Sequence, residues 1–337
     1  MDQNMRRISK RLVGPLALGS AAAMVLSGCG GNVAAGGGGG EEDFPTKEVS
    51  ITVGAAAGGS TDLIARALAD GASSDLGQAL PVINKPGANG TLAAKEVQSA
   101  KPDGYNLATL NASLITITPL AVGEDEAVSI DDFEVITGVS QDDYVMVANP
   151  DAGVKTVDDI KNSDEKLSFG TAGVGTGSQL AQSLLLAQID TDFKEVPFDS
   201  GAPAVTAALG NQVNISTVQL GEAKPHIDAG KLVPIMVFSE ERNKFLEDVP
   251  TATEEGYDIP VSQYRAVVAP KDTPDAVIER LDKSFKATFE TDAYKEFNEK
   301  NLLTPTEVSG DEIATEWADL ADRYKKLIDE YDIDLSD

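Results

Sequence analysis

The chain has 337 residues, 42% of them hydrophobic and 24% charged, which suits about two ordinary globular domains. Fifty-five acidic residues against 27 basic ones leave a formal charge of −28, and this excludes a nucleic-acid binder, which needs a basic face to displace phosphate counterions. A single cysteine, Cys29, and a single histidine, His226, exclude a disulfide framework within the chain, a cysteine-rich zinc site and a histidine-cluster metal site, so neither a metal nor a cofactor is expected.

The first segment reads as an address. Arg6, Arg7, Lys10 and Arg11 precede an apolar run over 12–26 that is interrupted by Gly14, Pro15 and Gly19. The run is short for a membrane-spanning helix and has the size of a signal-peptide core. It ends in Leu26-Ser27-Gly28-Cys29, which resembles the bacterial lipobox, whose cysteine is lipidated and becomes the new N-terminus. Residues 1–28 are therefore expected to be a lipoprotein signal peptide. Residues 29–43, rich in glycine, are expected to form a flexible tether, with a lipid on Cys29 holding the protein at the outer face of the cell membrane.

From residue 44 onward, strand and helix patterns alternate. A β-rich stretch over 49–53 runs into Gly58-Gly59-Ser60-Thr61-Asp62, after which Leu63, Ile64, Ala67 and Leu68 recur at helical spacing. A strand over 80–83, a turn at Asn84-Lys85-Pro86-Gly87, a helix over 91–99 and a strand over 105–110 follow, the last leading into Asn111 and Ser113. The second stretch repeats this grammar. Strands are expected over 144–148 and 167–169, then the loop 170–178 and a helix over 179–189. A strand over 193–197 precedes Ser200-Gly201-Ala202-Pro203, where proline opens another helix. Strands over 213–217, 232–238 and 265–269 and helices over 273–289, 292–301 and 311–331 complete the pattern. Such alternation argues an α/β fold with largely parallel sheets.

Two loops carry the chemistry. In Gly58–Asp62 the paired glycines let backbone amides approach a ligand, and Ser60 or Thr61 is placed to cap the following helix. A helix start offers spare N–H donors and partial positive charge, suited to a carboxylate, phosphate or sulfate; a plain capped turn is the alternative. The loop lacks the lysine of a Walker motif and the third glycine of a dinucleotide fingerprint. The loop at Gly170–Ser178 is of the same kind and only a weak partial match to a dinucleotide loop. Two such loops, each between a strand and a helix, place two anion-binding helix starts where open α/β sheets bind ligands. Catalytic readings do worse. No Gly-x-Ser-x-Gly elbow is present. His226 reads as a surface or structural residue near a helix start. Arg265 reads either as a bidentate contact to a ligand carboxylate or as a surface ion pair. Trp317, spaced with Ile313 and Leu320, reads as packing.

Several short motifs occur together in a characteristic order. They are Ala57-Gly58-Gly59-Ser60-Thr61-Asp62, Asn84-Lys85-Pro86-Gly87-Ala88-Asn89-Gly90, Pro102-Asp103-Gly104-Tyr105, Gly201-Ala202-Pro203-Ala204, Asp248-Val249-Pro250-Thr251 with Glu255-Gly256, and Ala269-Pro270 with Thr273-Pro274. As an ordered set over residues 44–327 they resemble the substrate-binding proteins of tripartite tricarboxylate transporters, the Bug family. The family often has proline where Ala57 stands and histidine near Gln179.

The resemblance implies a two-domain periplasmic-binding-protein-like fold of type II, with two Rossmann-like lobes joined by a hinge near residues 143 and 263. Lobe 1 is then 44–142 with 264–337, and lobe 2 is 143–263. It implies ligand contacts from Gly58, Gly59, Ser60, Thr61 and Asp62, from Thr171, Gly173, Gly175, Thr176, Ser178 and Gln179, and from Ser200, Gly201 and Ala202 at the cleft edge; Asn111 and Ser113 at a strand end join them. The implied function is an extracytoplasmic, monomeric receptor, not an enzyme, that captures a small carboxylate and delivers it to integral membrane transporter subunits. A ligand sensor for a membrane signalling protein is the alternative, followed by a lipid-anchored hydrolase.

Overall fold

The computed structural model describes residues 44–123 and 126–336. The expected signal peptide, Cys29 and the tether lie outside the described residues. Among the described residues no helix is long and apolar enough to cross a membrane.

The first part of the chain runs β1 (Ser50–Val53), α1 (Ser60–Leu76), β2 (Val82–Asn84), α2 (Thr91–Gln98), β3 (Asn106–Asn111), α3 (Ala112–Thr116) and α4 (Thr118–Ala121). Helix α1 buries Ile64, Ala65, Leu68, Ala69, Ala72 and Leu76, a stripe at helical spacing. It stops where Gly77, at φ +67°, turns left-handed and returns its N–H to Ser73 O. Each buried leucine or isoleucine in such a stripe contributes about 1.5–3 kcal/mol of hydrophobic transfer.

Next comes β4 (Phe133–Ala148), which is 16 residues long. Then follow α5 (Val157–Lys161), β5 (Leu167–Thr171), α6 (Gly177–Gln188), β6 (Phe193–Pro197), α7 (Gly201–Leu209), β7 (Ile215–Gln219), α8 (Leu220–Asp228) and β8 (Val233–Val237). The chain returns through β9 (Ser262–Pro270) and ends in α9 (Asp275–Phe289), α10 (Asp292–Lys300), β10 (Thr304–Pro305) and α11 (Gly310–Tyr331).

The strands lie in the order β2-β1-β3-β9-β4-β7-β5-β6, with β8 and β10 also paired to β4. Two parallel trios, β2-β1-β3 and β7-β5-β6, flank the central pair β9-β4, which is antiparallel to its neighbours. The expectation of largely parallel sheets is thus corrected: the parallel units are real, and antiparallel strands join them. The early half of β4 pairs with β9, from Phe133↔Pro270 to Asp143↔Ser262, and its last five residues pair with β7 and β8. Register shifts between Val135 and Thr137 and between Gly138 and Ser140 interrupt the period-two alternation that marks a strand in sequence. At Gly138 a Cβ would meet Thr306 O at 2.5 Å, so only glycine fits there.

The core divides in the same way. One cluster joins β1, α1 and α9 through Ile51, Leu68 and Phe285; another surrounds β5 and α6 through Phe169, Leu180 and Leu184. Helix α11 serves both sides: Ile313 and Trp317 pack with β3 and β9, whereas Tyr324 packs with the α6 cluster.

Candidate functional site

The loop from β1 to α1 is held open by its own side chains. Gly58, at φ +85°, donates its N–H to Asp62 Oδ2 at 2.8 Å. The Asp62 carboxylate also accepts from Arg66 and, at 2.8 Å, from Asn84 Nδ2. Burial alone would raise the Asp62 pKa, but these hydrogen bonds outweigh it and hold the group below the usual carboxylate range. No side chain caps α1; its N-cap is Gly59. The expected cap by Ser60 or Thr61 is therefore corrected, because both hydroxyls are engaged below the loop. Ser60 Oγ donates to Asp142 Oδ2 at 3.0 Å, and Thr61 Oγ1 donates to Asn111 Oδ1 at 3.2 Å. The first intrahelical bond runs from Leu63 N–H to Gly59 O, so the amides of residues 60–62 belong to the open helix end.

The loop from β5 to α6 is built differently, as it closes on itself. Thr176 caps α6 by accepting from the Gln179 N–H at 3.3 Å. Ser178 Oγ accepts the Ala172 N–H at 2.8 Å, and Gln179 Oε1 accepts the Gly175 N–H at 2.8 Å. Gln179 Nε2 donates to Glu195 at 2.8 Å. Burial pushes Glu195 up to about 7 despite that bond. Gly173 and Gly175 have φ +124° and +69°, conformations that favour glycine.

Asn89, between β2 and α2, ties the β5–α6 loop to the α3–α4 segment. Its Nδ2 lies 3.0 Å from each of Ser113 Oγ, Thr118 Oγ1 and Gly175 O. Gln263 Nε2 donates to Ser113 Oγ at 3.3 Å from the other side.

These segments enclose a cleft of about 70 Å³. Of the residues expected from sequence, Gly59, Ser60, Thr61, Asn111, Thr176, Ser200 and Gly201 line it. Gly58 and Ala202 line an adjoining cavity of about 270 Å³, which shares Ser60 and Glu222 with the cleft. Asp62, Ser113, Thr171, Gly173, Gly175, Ser178 and Gln179 border neither space and stand behind the walls. Sequence reasoning missed Asn89, Tyr144, Gln219, Glu222 and Gln263, all of which face the cleft. Gln219 and Glu222 were within reach of the rule used for the other loops, since they sit at the carboxyl end of β7 where α8 begins.

Arg265 corrects both readings made of it. It is fully buried and donates to Asp142 Oδ2 at 2.6 Å, to Thr61 Oγ1 at 2.9 Å and to Gln219 Oε1 at 2.9 Å. It is neither a surface ion pair nor a free clamp for a ligand; it braces the underside of the first loop. His226 lies within α8, past its first turn, and lines the adjoining cavity. Glu222 is raised to about 7 by burial and by Asp142, against Arg265 and the Gln219 amide. Among the described residues no lysine or arginine lines either space, and no group of three or more His, Cys, Asp or Glu side chains is placed to hold a metal ion.

Two parallel α/β units joined by antiparallel crossings, with their strand-to-helix loops around one cleft, are the architecture of a periplasmic binding protein. The structure superposes on periplasmic binding protein BugD with a TM-score of 0.80 and 27% identity, covering 86% of this chain and 99% of that one. It also superposes on MatC of Rhodopseudomonas palustris, solved with bound malate, with a TM-score of 0.78 and 25% identity over 85% and 100% of the two chains. In sequence, a UPF0065 protein from the TAR-I ttuE-ttuC' intergenic region of Agrobacterium vitis is 33% identical over 251 residues, 73% of this chain and 72% of the relative. Residues 64–333 match the tripartite tricarboxylate transporter family receptor. The chain belongs to that receptor family and is an extracytoplasmic solute-binding protein.

Proposed function

We propose that this receptor captures a small carboxylate in the cleft between the β1–α1 and β5–α6 loops, does no chemistry on it, and presents it to membrane transporter subunits. The observation that carries this reading is the cleft wall itself: Gly59, Ser60 and Thr61 at the open start of α1, with Gly54 and Gly201, line a small space that no lysine or arginine among the described residues lines. One ligand carboxylate would sit on the α1 amides, with Thr176 and Ser200 facing it. Lobe 1 (44–142 with 264–337) would close on lobe 2 (143–263) about the crossings in β4 and β9, where Asp143 pairs with Ser262. Excluding water on closure strengthens each hydrogen bond to the anion. The malate held by MatC is a ligand of the same chemical class.

Family membership supports a transporter partner, which favours transport over signalling. Monomeric action and a lipid on Cys29 complete the proposal, the second on the strength of the Leu26-Ser27-Gly28-Cys29 motif. Thermal shift with malate, succinate, citrate and acetate tests the carboxylate reading. A ligand at 100 times its Kd is expected to stabilise the fold by about 2.7 kcal/mol, and the absence of any shift from a protein shown by native mass spectrometry to be empty would refute it.

A further inference from the structure

The 270 Å³ cavity beside the cleft has a chemistry of its own. Leu63 and Ile64 from α1, Val205 from α7 and Phe297 from α10 give it apolar walls, while Glu222 and His226, one turn apart on α8, supply its polar end. Glu222 borders both spaces, so a ligand seated in the cleft by a carboxylate and extending past Ser60 enters this cavity beside the Glu222 carboxyl group. Gly201 makes that placement possible, because a Cβ there would lie 1.8 Å from Glu222 Oε2.

The charges around Glu222 are uneven. Asp142 on β4 is matched by Arg265 on β9 at 2.6 Å, and Arg265 also donates to Thr61 and Gln219. The Gln219 backbone amide hydrogen-bonds to the Glu222 carboxyl, Tyr144 stands in the same wall, and Asp199 adds a second carboxylate to the rim of the cleft. No lysine or arginine among the described residues lines either space. A second ligand carboxylate would therefore meet acid groups while Arg265 is already ion-paired with Asp142, whereas an ammonium would meet a carboxyl group that forms no ion pair among the described residues.

We infer that the cavity is the distal half of the ligand site and that it takes the ammonium end of a short amino acid whose carboxylate occupies the cleft. This rests on the carboxylate reading above and narrows it. The upward shift of Glu222 agrees, since a carboxyl group whose proton is favoured by burial and by nearby Asp142 releases it more readily when an ammonium arrives.

The test is isothermal titration of the wild-type protein at pH 7 with 4-aminobutanoate, butanoate and succinate, in two buffers of different ionisation enthalpy. The expected result is that 4-aminobutanoate binds at least about tenfold more tightly than either of the others and alone releases a proton. In Glu222→Gln the preference for 4-aminobutanoate over butanoate is expected to fall below about threefold. Thr206→Trp, which fills the cavity from an exposed position, is expected to erase the same preference if the glutamine variant does not fold. Equal or tighter binding of butanoate or succinate to the wild type overturns the inference and leaves the carboxylate reading standing. Failure of all three to bind overturns the inference, and the carboxylate reading is then judged separately by the response to malate, citrate and acetate.

Discussion

The two glycine-rich loops look alike in sequence and do different work. In the β1–α1 loop the polar side chains of the helix start are engaged by partners: Asp62 holds Gly58, Ser60 reaches Asp142, and Thr61 meets Asn111 and Arg265. The amides of residues 60–62 are left at the open helix end. In the β5–α6 loop the polar groups satisfy one another, Ser178 with Ala172 and Gln179 with Gly175, and only Ala172 and Thr176 reach the cleft. A Gly/Ser/Thr segment between a strand and a helix thus yields either an exposed helix end or a closed knot. The partners outside the loop decide which.

The first loop depends most on what lies beneath it. Arg265→Met leaves the Asp142 carboxylate buried without its cation, and the expected loss is about 3–5 kcal/mol of stability in chemical denaturation. A loss under about 1 kcal/mol would mean that the buried pair does not brace the loop. In the second loop, Gly175→Ala places a Cβ at φ +69° and 3.0 Å from Thr118 Cα, with an expected cost of about 1–3 kcal/mol by the same measurement. An unchanged midpoint would show that this loop relaxes freely.

Gly59→Val separates presentation from scaffolding. Gly59 has φ −75° and only one near neighbour, Ala56 O at 3.3 Å from a Cβ, so the fold is expected to tolerate valine. The bulk would face the cleft, and carboxylate affinity is expected to fall at least about tenfold, near 1.4 kcal/mol, by calorimetric titration. Unchanged affinity would remove this loop from the site.

The smallest effect concerns pH, and its sign differs between the loops. Asp62 has a depressed folded pKa, so the stability it contributes is present above its ordinary value of 3.8 and is lost as pH falls through the folded value. Glu195 is raised from 4.5 to about 7, so the folded state holds its proton more tightly. Its contribution is full below 4.5 and declines as pH rises to about 7. Asp62→Asn is expected to flatten the acid limb of a melting-temperature profile, and Glu195→Gln to flatten the decline between pH 5 and 7. At a scale of roughly 2–4 °C per kcal/mol, both changes are measurable. Identical profiles for both variants would dissolve the contrast between the loops.

Much of this protein was legible before folding was considered. Strand-to-helix junctions at Gly58, Gly170 and Gly201 follow from local rules, because glycine, capping residues and apolar spacing act within a few residues of one another. The stripe on α1 and the packing role of Trp317 came from the same short-range periodicity. What stayed hidden depends on distant partners. The first half of β4 has a glycine and two register shifts where alternation should be, so only its pairing with β9 makes it a strand. Arg265 looked like a ligand clamp because nothing near it in sequence reveals Asp142, 123 residues away. Glu222 was one acid among fifty-five until tertiary contacts placed it against Gly201 and near Asp142. Local patterns in the sequence sufficed for the strand-to-helix loops, the longer amphipathic helices and the family resemblance, but not for the short helices α3, α4 and α5. The tertiary structure decided which loop presents backbone and which carboxyl group faces the ligand space, because burial and charge pairing are properties of neighbours in space.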